Sequence, residues 1–256
     1  MKNTVNFKII VSYNGARYAG WQRQENGLAV QELLETAVGK VCGHPVIVRG
    51  SGRTDAGVHA LGQVASFETG SKRTPGQIVR GSNSLLPDDV AVLSAEEVPP
   101  GFDARFSATG KTYGYDFLVS PVRLPLKMAT SWHVGPRLDW DAVREALPCL
   151  EGEKDFAAFR SAGSPVKSTV RRMFRAVLSA PEPDVARLEL TASGFLRNMA
   201  RAIAGSVYEI GRGKMSPRRF PDIISLGNRA LTGLAAPPQG LCLREVYYEP
   251  VEIPGD

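Results

Sequence analysis

The sequence predicts a mixed α+β fold, and two observations lead to that prediction. Strand-like and helix-like hydrophobic patterns alternate along the 256 residues, yet several strand-like segments also follow one another directly, as in hairpins. The hairpin-like pairs favour a mixed α+β arrangement over a doubly wound parallel sheet. A chain of this length can bury one large core or two modest ones.

The first half of the chain begins with a predicted strand at 5–13, which ends at Asn14-Gly15. An amphipathic helix is predicted at 29–41, because Val30, Leu34 and Val38 recur at helical spacing. A glycine-rich loop is predicted at 50–57. The remaining predicted elements of this half are strands at 45–49, 63–67 and 89–98 and a helix at 75–84.

The second half is predicted to begin near Phe106, which divides the chain into domains 1–105 and 106–256, with Pro99-Pro100-Gly101 as the best candidate boundary. Asp139 is a predicted N-cap of a helix that runs to Leu147. The remaining predicted elements are strands at 111–119, 172–179, 185–191 and 241–249 and helices at 195–210 and 217–226.

Basic residues concentrate in two segments of this second half. Five lysines and arginines, and no acidic residue, lie between Phe156 and Pro181, and six against one glutamate lie between Thr191 and Pro221. The formal net charge of the chain is +5. Clustered cations suit the phosphate backbone of a nucleic acid, although a solvated basic face without a ligand would have the same composition.

Cysteine, histidine and hydropathy patterns exclude several other classes of protein. The three cysteines are odd in number and far apart, and the three histidines include no His-x-x-x-His pair. We therefore expect neither a disulfide framework nor a metal site. No run of 18 apolar residues occurs, so no membrane span is predicted. The polar N-terminus is typical of a mature cytoplasmic protein.

The loop at 50–60 carries the clearest candidate chemistry. Arg53 and Asp55 lie within a turn that contains glycines 50, 52 and 57, and glycine allows a backbone to approach a ligand closely. A charged pair on a loop that follows a strand is a plausible active site. A loop salt bridge is the alternative, and the residues alone leave both interpretations open.

The segment Arg53-Thr-Asp-Ala-Gly-Val-His-Ala60, followed by Gly62-Gln-Val64, resembles the signature of the tRNA pseudouridine synthase A (TruA) family. Further segments resemble that family in order and spacing, so the resemblance covers essentially the whole chain. These segments are Tyr13-Asn14-Gly15, 20–24, 30–35, 102–108, 113–115, 152–156, 195–201 and 240–243.

The resemblance implies an isomerase that cuts the bond from N1 of uracil to the sugar, rotates the base and reattaches it through C5. This reaction requires no metal, oxidant or ATP, so no cofactor is expected. Asp55 matches the catalytic aspartate of the family, as a nucleophile at C1′ or a base at C2′. Arg201 matches the arginine that pairs with it, and we expect Arg197 to share its helix face.

Other matched positions imply how the substrate is held. Tyr113 matches a tyrosine that stacks on the uracil and is placed to take the C5 proton. Arg53 matches an arginine that fills the gap left by the flipped uridine. Leu243 packs either beneath the ring or simply in the core, and His59 is expected to hold the loop rather than to act as an acid or base.

The family further implies two ferredoxin-like halves whose sheets join into one, and a homodimer that binds one tRNA across both subunits. The expected targets are uridines 38 to 40 of the anticodon stem-loop, and Arg160, Lys167, Arg171 and Arg172 are expected to contact phosphates. Two alternatives stay open. One is a hydrolase of the aspartic-protease kind, which would need a second carboxylate from a dimer, and the other is a non-catalytic RNA-binding module.

Overall fold

The computed structural model describes residues 4–161 and 166–251. Within these residues the fold is mixed α+β, with a mostly antiparallel sheet of ten strands and flanking helices, which confirms the predicted fold class. The strands are β1 (Val5–Tyr13), β2 (Arg49–Gly50), β3 (His59–Thr69), β4 (Val90–Val98), β5 (Gly110–Leu118), β6 (Trp132–His133), β7 (Gly152–Asp155), β8 (Val170–Glu182), β9 (Val185–Ala192) and β10 (Leu241–Tyr247). The helices are α1 (Val30–Cys42), α2 (Pro75–Asn83), α3 (Pro125–Met128), α4 (Trp140–Ala146), α5 (Met199–Gly211) and α6 (Arg219–Leu226).

The chain forms two compact units. Among the described residues, the first unit contains 4–108 together with Leu243–Glu249, and the second contains those of 109–242 together with 250–251. Most of β10 therefore belongs to the first unit, although the sequence placed it with the second half. Its backbone lies against β3, because a Cβ atom on Gly62 would lie 2.5 Å from the carbonyl oxygen of Arg244.

The first unit has the element order β1-α1-β2-β3-α2-β4, and its strands pair in the order β4-β1-β3-β2. This is the ferredoxin-like arrangement. Strand β1 lies between β4 and β3, and its Phe7, Ile9 and Val11 alternate into the core. Phe7 pairs with Phe67 of β3, and their rings stack with centroids 5.5 Å apart.

The prediction of a strand at 45–49 is wrong except for Arg49, where β2 begins. Val46 and Val48 are buried as a strand pattern would require, but the backbone of Val48 bonds to side chains of α1 instead of to a neighbouring strand. Its N–H donates to Glu35 and its carbonyl accepts from Gln31. Because α1 satisfies these backbone groups, ladder pairing begins only at Arg49.

The second unit repeats the same order of elements without an obvious repeat in sequence. Strand β5, helix α4, the β8–β9 hairpin, helix α5 and β10 occur in this order along the chain, with α3, β6, β7 and α6 inserted between them. Strands pair in the order β5-β9-β8-β7, and the short β6 adds a parallel pair to β5. The predicted cap of α4 is confirmed, since Asp139 accepts from the N–H groups of Asp141 and Ala142.

Helix α5 begins at Met199 rather than at the predicted residue 195. Asn198 precedes it in a left-handed conformation with φ 62°, which interrupts the right-handed turn that hydrophobic spacing alone predicted. Phe195 therefore lies outside the helix. In the described part of the chain, no helix is long and apolar enough to cross a membrane.

Candidate active site

In the first unit, Asp55 lies on the loop that joins β2 to β3, and its side chain is half-buried. The N–H of Val58 donates to the carbonyl of Asp55 at 3.1 Å, which closes a tight turn around the carboxylate-bearing residue. The N–H of Trp21 donates to the carbonyl of Thr54 at 3.1 Å. The backbone on both sides of Asp55 is therefore held in place.

Two glycines of the opening segment allow its backbone to pass close to this loop. A Cβ atom on Gly20 would lie 2.5 Å from the carbonyl oxygen of Thr54, and one on Gly15 would lie 2.0 Å from that of Val58. Gly20 also has a φ of +105°, a backbone conformation that residues with a side chain rarely adopt. Sequence reasoning found this opening segment as a motif but did not predict that it holds the loop of Asp55.

Hydrogen bonds join the same two segments. The hydroxyl oxygens of Tyr13 and Thr54 lie 2.8 Å apart, and both side chains are buried. The N–H of Gly15 donates to Nδ1 of His59 at 3.0 Å, so this ring nitrogen is an acceptor. His59 is buried and this bond ties it to the opening segment. Its geometry agrees with the expected role of holding the loop.

The start of the loop is anchored through a buried glutamine of β3. Ser51 donates its N–H to the carbonyl of Val64 and its hydroxyl to the Gln63 side chain at 2.8 Å. The amide nitrogen of Gln63 in turn donates to the carbonyl of Gly52 at 3.0 Å. Both Ser51 and Gln63 are fully buried, so these bonds are shielded from water and restrict the loop.

Arg53 projects into solvent from this restricted loop. Its Nε donates to the side-chain oxygen of Gln22 at 3.3 Å, and its side chain is exposed. Among residues 4–161 and 166–251, no ion pair joins Arg53 to a carboxylate. The interpretation of Arg53 and Asp55 as a simple loop salt bridge is therefore wrong.

In the second unit, Tyr113 lies on β5 opposite Leu190 of β9 and is 7% exposed. Its ring meets Phe195 edge to face, with centroids 4.9 Å apart and an interplanar angle of 75°. Phe195 precedes α5 and is not part of that helix. Such a contact restricts the orientation of the tyrosine ring.

Arg201 lies on α5, and two oxygens of the second unit hold its guanidinium. Nε donates to the carbonyl of Ala236 at 2.7 Å, and a terminal nitrogen donates to Oδ1 of Asn198 at 3.0 Å. The N–H of Ala236 also donates to the carbonyl of Arg201. The prediction that Arg197 shares a helix face with Arg201 is wrong, because α5 begins only after Arg197.

The segment that supplies Ala236 is itself held on both sides. A Cβ atom on Gly205 of α5 would lie 1.6 Å from the carbonyl oxygen of Leu234, so helix and segment are in direct backbone contact. On the other side, Tyr115 donates its hydroxyl to the carbonyl of Pro237 at 2.9 Å. Burial raises the pKa of Tyr115, against an opposing effect of the Arg201 charge, so the hydroxyl remains a donor.

The four predicted phosphate-binding residues differ in their surroundings. Arg172 and Lys167 are exposed, and the Arg172 guanidinium lies 5.6 Å from the centroid of Phe174. Arg171 is half-buried and donates to the carbonyls of Ser168 and Val170, and burial lowers its pKa. Arg160 is half-buried at the end of a short 3-10 turn. Of these four residues, Lys167 and Arg172 are the two that are exposed.

Leu243 of β10 is fully buried, which agrees with core packing. The residues described also contain no group of three or more His, Cys, Asp or Glu side chains that could hold a metal ion. The cysteines among them, Cys42, Cys149 and Cys242, are free thiols.

Comparison with known proteins shows similarity along nearly the whole chain. A family model described as tRNA pseudouridine synthase matches residues 9–107 and 146–249. A protein of Geotalea uraniireducens named tRNA pseudouridine synthase A is 44% identical over 94% of this chain and 98% of its own length. A protein of the same name from Geobacter sulfurreducens is 45% identical over 94% of this chain and 98% of its own length. Another from Syntrophotalea carbinolica is 46% identical over 95% of this chain and 96% of its own length.

Proposed function

This chain belongs to the tRNA pseudouridine synthase family, and on that premise we propose that it isomerises uridines 38, 39 and 40 in the anticodon stem-loop of tRNA. Enzymes of this kind are isomerases that convert uridine to pseudouridine. The bond between C1′ of the ribose and N1 of the uracil breaks, and the base rotates. A new bond then forms between C1′ and C5, and C5 loses its proton. No atom is gained or lost overall, so the reaction requires no redox partner.

The main support for the proposal is the way in which the backbone around Asp55 is held in place. A half-buried carboxylate on a backbone held from both sides, through Thr54 and Val58, is suited to reach a sugar in a defined geometry. Asp55 acts on the ribose, either by bonding to C1′ while uracil leaves or by taking a proton from C2′. Both routes begin from the ionised carboxylate.

We assign Tyr113 and Arg201 to the same reaction. Arg201 supplies the positive charge that pairs with Asp55, and a guanidinium remains charged at every physiological pH. Tyr113 stacks on the uracil and accepts the C5 proton in the last step. Its edge-to-face contact with Phe195 supports this role, because it orients the ring before substrate arrives.

Substrate contacts are assigned to Arg53 and to four basic residues of the second unit. A uridine in a stem must leave the base stack before its sugar can be attacked, and the exposed Arg53 occupies the vacated space. Leu243 is fully buried and is assigned to the core rather than to the extruded ring, and the phosphates are bound by Arg160, Lys167, Arg171 and Arg172. We further propose that a homodimer binds one tRNA across both subunits, and that the reaction takes place in the cytoplasm, where its substrate is found.

The experiment that tests the function measures tritium release from tRNA labelled at uracil C5. Wild-type protein is expected to release the label, whereas Asp55→Asn should bind tRNA normally and lose turnover by about 10³-fold or more. Asp88→Asn is the matched control, because Asp88 is exposed and has no hydrogen bond or ion pair among the described residues. Near-normal turnover by Asp55→Asn would refute the mechanism.

The target positions require substrates of their own. tRNAs that carry a single uridine at position 38, 39 or 40 should each be modified, and a tRNA without uridine at all three should release no label. Binding without label release from any substrate would favour the RNA-binding module instead. Peptide hydrolysis, the activity of the other alternative, is not expected.

A further inference from the structure

We propose that Asn198 is a positioning residue, which orients the guanidinium of Arg201 for the reaction. This inference rests on the proposed role of Arg201 as the partner of the catalytic carboxylate. The direct observation is a hydrogen bond of 3.0 Å from a terminal nitrogen of Arg201 to Oδ1 of Asn198. Three further features of Asn198 indicate that its side chain is directed to this hydrogen bond.

The first feature is the backbone of Asn198. Its φ of 62° and ψ of 5° place it in the left-handed region, and it is the one non-glycine residue with positive φ in the ranges 4–161 and 166–251. This conformation costs free energy for a residue with a Cβ atom. Glycine would adopt it more easily, so the position retains a side chain at the expense of backbone strain.

The second feature is a capping bond that Asn198 does not make. It stands at the N-cap of α5, where asparagine commonly accepts a hydrogen bond from the first turn of the helix. Here the side chain makes no such bond. Asp139, at the N-cap of α4, does make it. The amide of Asn198 is therefore directed to Arg201 rather than to the stability of its own helix.

The third feature is the orientation of the amide. Nδ2 donates to the hydroxyl oxygen of Ser161 at 2.6 Å, which leaves the oxygen end to face Arg201. The N–H of Ser161 donates to the carbonyl of Arg197, so the serine is itself attached to the turn before α5. A side chain held at its nitrogen end presents a fixed acceptor to the arginine.

Together with Ala236, Asn198 determines the plane of the guanidinium. Nε donates to the Ala236 carbonyl and a terminal nitrogen donates to Asn198. Because the guanidinium is planar, fixing two of its five N–H donors also fixes the direction in which its other edge points. Loss of the Asn198 bond should therefore disturb the transition state more than the binding of tRNA, and should lower kcat with little change in KM.

The test compares Asn198→Gly with Asn198→Ala. Both remove the acceptor, but glycine fits the left-handed backbone and alanine does not. Both variants should lower kcat by about tenfold, with KM within about twofold of wild type. Both variants lose the side-chain hydrogen bonds, so the melting temperature should fall in both, and further for Asn198→Ala because of its backbone strain. A role confined to backbone stability would instead leave the kcat of Asn198→Gly unchanged, which would overturn the inference.

A double-mutant cycle with Arg201→Gln shows whether Asn198 acts through the arginine. If it does, Asn198→Gly should cost no further activity once Arg201 is replaced. An equal cost in both backgrounds would overturn the inference. If Arg201→Gln alone retained turnover, the proposed role of Arg201 would fail. If Arg201→Gln lost turnover while Asn198→Gly retained it, only the role of Asn198 would fail.

Discussion

Gly20 and Thr54 lie so close that a Cβ atom on the glycine would be 2.5 Å from the threonine carbonyl oxygen. The same carbonyl accepts a hydrogen bond from the N–H of Trp21. Thr54 immediately precedes Asp55, so the opening segment of the chain determines where the backbone of the Asp55 loop runs. A glycine far from Asp55 in sequence is thus part of the construction of the site.

Gly20→Ala is expected to destabilise the protein by about 2–3 kcal/mol and to lower turnover, because the added methyl group displaces the Thr54 carbonyl and φ is unfavourable. Chemical denaturation and tritium release measure the two effects. The matched control is Gly43→Ala. Gly43 has φ +78° but nothing within 4 Å of the added Cβ, so stability should fall by about 1 kcal/mol and turnover should stay unchanged. Equal turnover in both variants would contradict this account of the loop.

Tyr113→Phe should separate base stacking from proton removal. The phenylalanine retains the ring and its contact with Phe195, so tRNA affinity should be preserved. Loss of the hydroxyl should slow tritium release by about 10²-fold or more, since a positioned acid–base group contributes that much. Tyr208→Phe is the control, because among the residues described its hydroxyl has no hydrogen bond. Unchanged tritium release by Tyr113→Phe would exclude the hydroxyl from the last step.

The exposed cations Lys167 and Arg172 should contribute to binding through charge alone. Replacing either with alanine should weaken tRNA binding and lower the slope of log Kd against log salt by about one for each phosphate that is no longer bound. Arg171→Ala should behave differently. Its guanidinium is half-buried and bonded to backbone carbonyls, so stability should fall more than affinity. An unchanged salt slope in the double variant of Lys167 and Arg172 would remove these two residues from the interface.

Local sequence patterns were sufficient to predict those elements whose limits are determined by residues within or next to the element. Alternating apolar residues predicted β1 with its observed limits, and helical spacing predicted α1 to within one residue. The cap at Asp139 followed from a single residue type in front of a helical pattern. The motif from Arg53 to Ala60, with its companions along the chain, indicated the family that the comparisons then showed.

Predictions failed where a distant side chain or an unusual dihedral decided the structure. Residues 46–48 have a strand pattern, but side chains of α1 satisfy the backbone of Val48. Helical spacing continued back to Phe195, but the left-handed Asn198 interrupts it. Neither effect is visible in hydrophobic periodicity, because periodicity records which side chains are buried and not where each backbone hydrogen bond goes.

By itself, the sequence determined the fold class, the family and the residue types available for catalysis, since these depend on composition, periodicity and motif. Only the tertiary structure decided how those residues are held. Tyr13, Gly15 and Gly20 position the loop of Asp55 across more than 30 residues of chain, and Asn198 and Ala236 orient Arg201. Such contacts join atoms that are distant in sequence, so they exist only once the chain has folded.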